Sequence, residues 1–184
     1  MYLNYIELYI GGCRSGKSRA ALERAEAMGM DRQLYIATCR PGDDEMRDRV
    51  ARHQAERGAR WETLEEPLAV ASLIRQHSHS QSVILVDCLT LWLTNLIVGD
   101  ADDPAIEAHV AALTAALRGA RGPVLLVANE VGLGIVPDNA LGRRFRDWAG
   151  SLNQAVARCA GTVCLSVAGI QVPIKTTARD KGHP

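Results

Sequence analysis

Residues 11–18 read Gly11-Gly12-Cys13-Arg14-Ser15-Gly16-Lys17-Ser18. This stretch matches GxxxxGK[ST], the pattern of a phosphate-binding loop that joins a strand to a helix. An apolar run at residues 6–10 precedes it and a helical pattern at 17–28 follows it, so both parts of the required context are present. The alternative is an ordinary glycine-rich turn. The agreement of strand, loop and helix favours phosphate binding.

Each residue type in this loop has a physical role. Glycines let the backbone turn so that successive N–H groups point at phosphate oxygens, and the helix N-terminus adds its positive dipole end. Lys17 is predicted to contact the β and γ phosphates, and the Ser18 hydroxyl to help hold Mg²⁺. All of residues 11–18 are therefore predicted to bind nucleotide.

Outward from the loop, apolar runs of strand length alternate with helical patterns, which indicates βαβ units and a mostly parallel sheet. Strands are predicted at residues 6–10, 33–38, 83–87, 123–129 and 162–168, with a sixth around 61–64. Helices are predicted at residues 17–28, 44–57, 67–77, 89–98, 104–118 and 138–160. We therefore predict a single α/β domain over residues 1–175, followed by a polar tail at 176–184.

Composition narrows the functional classes. The 184 residues include 21 basic and 21 acidic side chains, so the net charge of zero removes the electrostatic case for a nucleic-acid or anionic-membrane surface. No stretch approaches the roughly 18 apolar residues of a membrane span, and the N-terminus lacks a signal peptide, so we expect a soluble cytoplasmic protein. The five cysteines include no CxxC pair, which argues against a disulfide framework or a metal cage.

A candidate metal-orienting carboxylate ends the strand at residues 83–87. Phosphoryl-transfer enzymes of this kind use an acidic residue on a second strand to hold magnesium, and Asp87 is in that position. Its alternative role is the N-cap of the helix that begins near Leu89. The two roles are compatible, and the preference of ligands for carboxyl ends of strands favours metal or nucleotide contact.

A histidine lies within a charged helical pattern at residues 44–57. Arg49, His53 and Arg57 recur every four positions and so share one helix face. Two guanidiniums disfavour protonation of the imidazole between them, which keeps a ring nitrogen free for nucleophilic attack. From spacing alone, such a stripe is more often a solvated helix face than an active site.

Five landmarks together resemble one family. They are GGCRSGKSR at the loop, YIAT ending at Thr38, DDEMRDRVARHQAERGARW around His53, DCLTLWLTNL from Asp87, and NEVGLGIVPDNALGRRFRDWAGSLNQ from Asn129. Over residues 11–175 the chain resembles the bifunctional adenosylcobinamide kinase and adenosylcobinamide-phosphate guanylyltransferase family of cobalamin biosynthesis. Cys13 departs from the alanine more usual in this family's loop, a small change that leaves the backbone cradle intact.

The resemblance implies a RecA-like P-loop fold, a homotrimer and particular site residues. The histidine that matches His53 becomes covalently guanylylated in this family. Mg²⁺ would be held by Ser18 and Asp87. Besides residues 11–18, the implied nucleotide contacts are Ala37, Thr38, Cys39, Gln54, Ala55, Glu56, Arg57, Glu65 and Asp87.

The implied substrates are adenosylcobinamide, its phosphate, ATP and GTP. The first reaction would phosphorylate the aminopropanol hydroxyl of adenosylcobinamide, and the second would transfer GMP from GTP through His53 to that phosphate. Two rival functions remain open. In a monofunctional small-molecule kinase, His53 would be idle, whereas a P-loop ATPase would use nucleotide to switch or assemble partners.

Overall fold

The computed structural model describes residues 5–40 and 60–177. Within these ranges the chain forms a seven-stranded sheet and five helices. The strands are β1 (Ile6–Gly11), β2 (Arg32–Ala37), β3 (Trp61–Glu65), β4 (Ser82–Asp87), β5 (Val124–Asn129), β6 (Thr162–Val167) and β7 (Ile170–Thr176). The helices are α1 (Lys17–Glu26), α2 (Val70–His77), α3 (Leu89–Val98), α4 (Asp103–Arg118) and α5 (Ala140–Cys159). Among these described helices, none combines the length and apolar character of a membrane span.

The strands are ordered β3-β2-β4-β5-β1-β6-β7 across the sheet. All neighbouring pairs are parallel except β6 and β7. β5 therefore separates β1, which leads into the phosphate-binding loop, from β4, which ends at Asp87. The registers pair Gly11 with Asn129 and Ala37 with Asp87, so the carboxyl ends of β1, β5, β4 and β2 form one edge. Ligands of open α/β sheets bind at this edge.

Helices cover both faces of the sheet, which confirms the predicted α/β class. On one face, α2, α3, α4 and α5 pack against alternate strand residues such as Ile84 and Val86. On the other face, α1 packs against the intervening residues, Val83 and Leu85 among them. Because both faces are buried, the central strands consist of nearly continuous apolar runs, and this is why they were predictable.

The antiparallel edge strand β7 is the one described strand that the sequence patterns did not predict. It contains Pro173, which removes a backbone donor and argues against a strand assignment. Pro173 pairs with Cys164 where the β6–β7 register shifts, and β7 lies at the outer edge of the sheet. A proline is tolerated there because edge strands and irregularities leave backbone donors unpaired.

Two predicted helices begin later than expected. The helix predicted from residue 67 starts at Val70, because the Glu66 carboxylate accepts hydrogen bonds from the Leu68 and Ala69 amides, both 2.8 Å. The helix predicted from residue 138 starts at Ala140, capped by the Asn139 side chain. The helix predicted at residues 44–57 lies outside the described residues. No disulfide links the five cysteines, all of which lie within the described residues.

Candidate functional site

The phosphate-binding loop connects the carboxyl end of β1 to the first residue of α1. Gly16, at the N-cap position, has φ 92°, a left-handed conformation that favours glycine. Among the described residues, no side chain caps α1, so its first backbone N–H groups are left for another acceptor. An uncapped helix N-terminus after a glycine-rich loop is a site for an anion such as phosphate.

Two polar side chains lie inside this loop. Lys17 is only 8% exposed, and its Nζ donates a hydrogen bond to the Gly12 carbonyl at 3.0 Å. The ammonium is thereby held across the loop. The Ser15 hydroxyl is buried and, within the described part of the chain, has no hydrogen-bond partner. Because buried polar groups are normally hydrogen-bonded, this hydroxyl can donate a hydrogen bond to a phosphate oxygen in the loop.

Asp87 lies two strands away from β1, at the end of β4. Its Oδ2 accepts a hydrogen bond from the Tyr35 hydroxyl at 3.0 Å. The N-cap of α3 is Cys88, whose Sγ accepts from the Leu91 amide at 3.4 Å. The alternative that Asp87 caps this helix is therefore wrong, because its neighbour occupies the capping position.

The pKa of the Cys88 thiol is affected by the neighbouring Asp87 carboxylate. Burial of the thiol, followed by the negative charge of Asp87, raises the pKa of Cys88 to about 12, against a smaller opposing effect of the Lys17 charge. The thiol therefore stays protonated at neutral pH and serves as a cap rather than as a nucleophile.

The donor set at this edge fits a magnesium ion bound together with a triphosphate. Mg²⁺ prefers oxygen ligands and usually combines one or two protein groups with phosphate oxygens and water. Ser18, in the first turn of α1, has a hydroxyl, and Asp87 has a carboxylate. Phosphate oxygens and water would complete the coordination of such an ion.

Thr38 joins the ends of two strands. Its hydroxyl donates to the Cys88 carbonyl at 2.7 Å and accepts from the Cys88 amide at 2.9 Å. Its carbonyl accepts from the Asn95 amide group at 2.7 Å. Its amide also donates to the Asp87 carbonyl at 3.3 Å, so both the side chain and the backbone of Thr38 hold β2 against the end of β4.

The remaining described residues of the predicted site follow this edge away from the loop. Ala37 pairs with Glu65, and Cys39 follows Thr38. β3 lies four strand spacings from β1, which corresponds to roughly 19 Å. Glu65 is therefore far from the phosphate-binding loop along the sheet.

The other predicted residues are His53 with its flanking Arg49 and Arg57, together with Gln54, Ala55 and Glu56. All of them lie outside the described residues.

The turn between β6 and β7 contacts the phosphate-binding loop, and sequence reasoning missed it. The Gly169 amide donates to the Ser15 carbonyl at 3.0 Å, and Ala168 and Gly169 have φ angles of 53° and 81°. Beyond the turn, the Gln171 side chain accepts from the Ser166 hydroxyl at 2.5 Å. The sequence signal for this turn is the Ala168-Gly169 pair between two short apolar runs, which is only a weak indicator of a hairpin.

Several known proteins are similar to this chain over most of its length. The family model described as "Cobinamide kinase / cobinamide phosphate guanyltransferase" matches residues 7–174. The chain is 47% identical to the bifunctional adenosylcobalamin biosynthesis protein CobP of Pseudomonas aeruginosa, over 92% of this chain and 96% of that protein. It is 42% identical to the bifunctional adenosylcobalamin biosynthesis protein CobU of Escherichia coli, over 91% of this chain and 98% of that protein.

Solved structures at low identity resemble the fold alone. The RadB recombinase superposes with a TM-score of 0.52 at 15% identity, covering 87% of this chain and 73% of that one. An ATPase of a bacterial type III secretion system superposes with a TM-score of 0.51 at 12% identity, covering 91% of this chain and 56% of that one. These neighbours confirm the predicted RecA-like architecture.

Proposed function

The chain belongs to the cobinamide kinase / cobinamide phosphate guanyltransferase family, and on that premise we propose that it phosphorylates adenosylcobinamide and then converts the product to adenosylcobinamide-GDP. ATP or GTP is the phosphate donor and GTP is the GMP donor. The observation that carries the proposal is the phosphate-binding loop, which Lys17 spans. Within the part of the chain that the structure describes, α1 has no side-chain cap and the buried Ser15 hydroxyl has no hydrogen-bond partner.

In the kinase step, the γ-phosphoryl group moves to the terminal hydroxyl of the cobinamide side arm. The backbone amides of the loop and the Lys17 ammonium stabilise the charge that develops on the transferred group. Lys17 exchanges its contact with the Gly12 carbonyl for phosphate oxygens. A magnesium ion held by Ser18 and Asp87 supplies further charge neutralisation when bound.

In the guanylyl step, a ring nitrogen of His53 attacks the α-phosphorus of GTP. A phosphorus–nitrogen bond forms, the bond to the β-phosphate oxygen breaks, and pyrophosphate leaves. A phosphate oxygen of adenosylcobinamide phosphate then attacks the same phosphorus and releases the histidine. Covalent catalysis of this kind divides one difficult displacement into two easier ones.

We further propose that the protein is a homotrimer. We place it in the cytoplasm because its triphosphate substrates are found there. Support for contact between copies comes from the edge strand β7, on which Ile170, Val172 and Ile174 are exposed. Light scattering tests this directly. A particle of three times the 19.9 kDa chain mass is expected, and a monomer would contradict it.

Labelled nucleotides test both activities. Protein incubated with GTP labelled at the α-phosphate should become labelled, and added cobinamide phosphate should remove the label. Separately, γ-labelled ATP should transfer its label to adenosylcobinamide. Phosphorylation without any protein adduct would indicate the monofunctional kinase. Nucleotide hydrolysis without transfer to any corrinoid would indicate the ATPase that switches or assembles partners.

A further inference from the structure

Four apolar side chains are exposed in the segment between β5 and the first turn of α5. They form what we call the apolar rim: Leu133 is 86% exposed, Ile135 96%, Val136 57% and Leu141 58%. Clusters of exposed apolar side chains on soluble proteins mark surfaces that bind a ligand or a partner. The kinase and guanylyl chemistry proposed above makes no use of these four residues.

The apolar rim begins beside the phosphate-binding loop. β5 is the immediate neighbour of β1, and Asn129 at its end is paired with Gly11. The next residue, Glu130, donates from its amide to the Gly11 carbonyl at 3.0 Å. The segment that carries the rim therefore leaves the sheet next to the first residue of the loop.

Hydrogen bonds fix the shape of this segment. The Glu130 carboxylate accepts from the Gly132 amide at 2.7 Å, and Arg143 donates to the Pro137 and Asp138 carbonyls at 3.1 and 2.7 Å. Val131 packs against the main core. The segment that carries the rim is thus held at both ends, with its apolar side chains exposed, and holding the ends of a segment lowers the entropy that it loses on binding.

We propose that the apolar rim binds the corrin ring of the cobinamide substrate, an inference that rests on the proposed function. The acceptor hydroxyl is at the end of a short arm of the corrinoid, so the ring must bind within an arm's length of the phosphate-binding loop. A corrin ring carries many methyl groups and uncharged amides, which match apolar side chains rather than a charged pocket. The rim is an exposed apolar segment that leaves the sheet beside that loop.

The position of the rim favours the substrate over a second copy of this chain. The rim is at the carboxyl edge of the sheet, beside β1. The exposed apolar residues of β7 were proposed above to contact other copies of the chain. Because β7 is antiparallel to β6, it runs away from the carboxyl edge and the loop after Ile170.

Serine substitutions test the assignment. The variants are Leu133→Ser, Ile135→Ser and the double variant, with Val98→Ser as the matched control. Val98 is 70% exposed but ends α3, about 13 Å along that helix from the carboxyl edge. Equilibrium dialysis against cobinamide, read by its visible absorbance, should show binding weakened about tenfold or more in the rim variants. Binding by Val98→Ser should match the wild type.

Kinetics and mass complete the test. The KM for adenosylcobinamide should rise in the rim variants while the KM for ATP and the labelling of the protein by GTP stay unchanged. Equal cobinamide binding by all variants, or a rim variant whose assembly dissociates in light scattering, would overturn the assignment. A wild-type protein that binds cobinamide without phosphorylating it would overturn the proposed function, and weaker cobinamide binding by the rim variants would then still support the rim assignment.

Discussion

Lys17 is held across the phosphate-binding loop by its bond to the Gly12 carbonyl, 3.0 Å long. That geometry keeps a positive charge beside the uncapped N-terminus of α1, where phosphate charge would develop during transfer. The charge stabilises the transition state more than the ground state, so its effect should appear in kcat.

Lys17→Ala should therefore lower kinase turnover by about a hundredfold or more, and it should also weaken guanylylation. Lys175→Ala is the matched control, because Lys175 likewise donates from Nζ to a backbone carbonyl, that of Ala157 at 2.7 Å, but on β7. Steady-state kinetics with ATP measure both. Turnover of Lys17→Ala within about threefold of wild type would refute the assigned role.

Tyr35 positions the Asp87 carboxylate through its hydrogen bond to Oδ2. Tyr35→Phe should raise the magnesium concentration needed for half-maximal kinase activity severalfold, the effect of losing about 1 kcal/mol. Asp87→Asn, which removes the charge itself, should raise it further. Tyr9→Phe controls for the loss of a buried tyrosine hydroxyl, since Tyr9 donates to Glu7 instead. Identical magnesium dependence in Tyr35→Phe and Tyr9→Phe would show that Tyr35 has no positioning role.

An ion pair joins α1 to the strand β1 that it packs against. Arg24 forms hydrogen bonds with both carboxylate oxygens of the buried Glu7, with Nη2 to Oε1 at 2.9 Å and Nε to Oε2 at 3.2 Å. The hydrogen bond to Glu7, the largest effect, raises the pKa of Arg24. Burial and the negative charge of Glu7 raise the pKa of Tyr9. The helix α1, which follows the phosphate-binding loop, is thus joined to β1 by an ion pair.

Arg24→Met should lower the free energy of unfolding by about 1–3 kcal/mol, because it leaves the Glu7 carboxylate buried without its cation. The partial exposure of Arg24 places this estimate below the value for a fully buried pair. Arg19→Met removes an exposed i,i+4 pair with Glu23 on the same helix and should change stability by less than about 0.5 kcal/mol. Urea unfolding of both variants measures the difference, and equal effects would contradict the argument.

The contact between α4 and α5 should depend on pH through Asp103. Hydrogen bonds from the Trp148 indole and from Arg144 lower the pKa of this carboxyl. Because the folded pKa is the lower one, the contact adds stability above about pH 4, and this contribution disappears as the pH falls through the folded pKa. The stability difference between wild type and Asp103→Asn should therefore shrink in acid. A difference that stays constant from neutral pH to below about pH 3 would contradict this.

At the scale of the whole molecule, local patterns predicted most of the fold. The loop at residues 11–18 is a contiguous motif, and the central strands are apolar runs, so both are visible in the sequence. β7 was not predicted, because its apolar residues face outward and Pro173 interrupts it. The apolar rim was likewise invisible, since exposure is a property of the fold and not of composition.

The arrangement of the site could be predicted only in part. Asp87 was found because it ends an apolar run, but its contact with Tyr35 joins residues 52 positions apart, and the Thr38–Cys88 contact spans 50. Such contacts depend on β2 and β4 being neighbours. Alternation of strands and helices does not specify that order. The sequence therefore identifies candidate residues at strand ends, and the topology decides which of them touch.

The two proposed reactions rely on two different parts of the molecule, a phosphate-binding part and a nucleophile. The kinase step uses the loop at the end of β1, the metal ligands and an acceptor hydroxyl, whereas the guanylyl step also requires His53. His53→Asn should therefore abolish labelling of the protein by α-labelled GTP while phosphorylation of adenosylcobinamide continues at a similar rate. His79→Asn, which alters an exposed histidine in the turn before β4, should leave both activities unchanged.

The chemistry of the adduct identifies the residue class independently of the variant. A phosphorus–nitrogen bond to imidazole is labile in acid and stable in base, so brief acid treatment should release the label from wild-type protein. A label that survives acid would point instead to a serine, threonine or tyrosine ester. Full labelling of His53→Asn would mean that Arg49, His53 and Arg57 form only a solvated helix face. In that case another residue would carry the GMP, while the kinase assignment of the loop would stand.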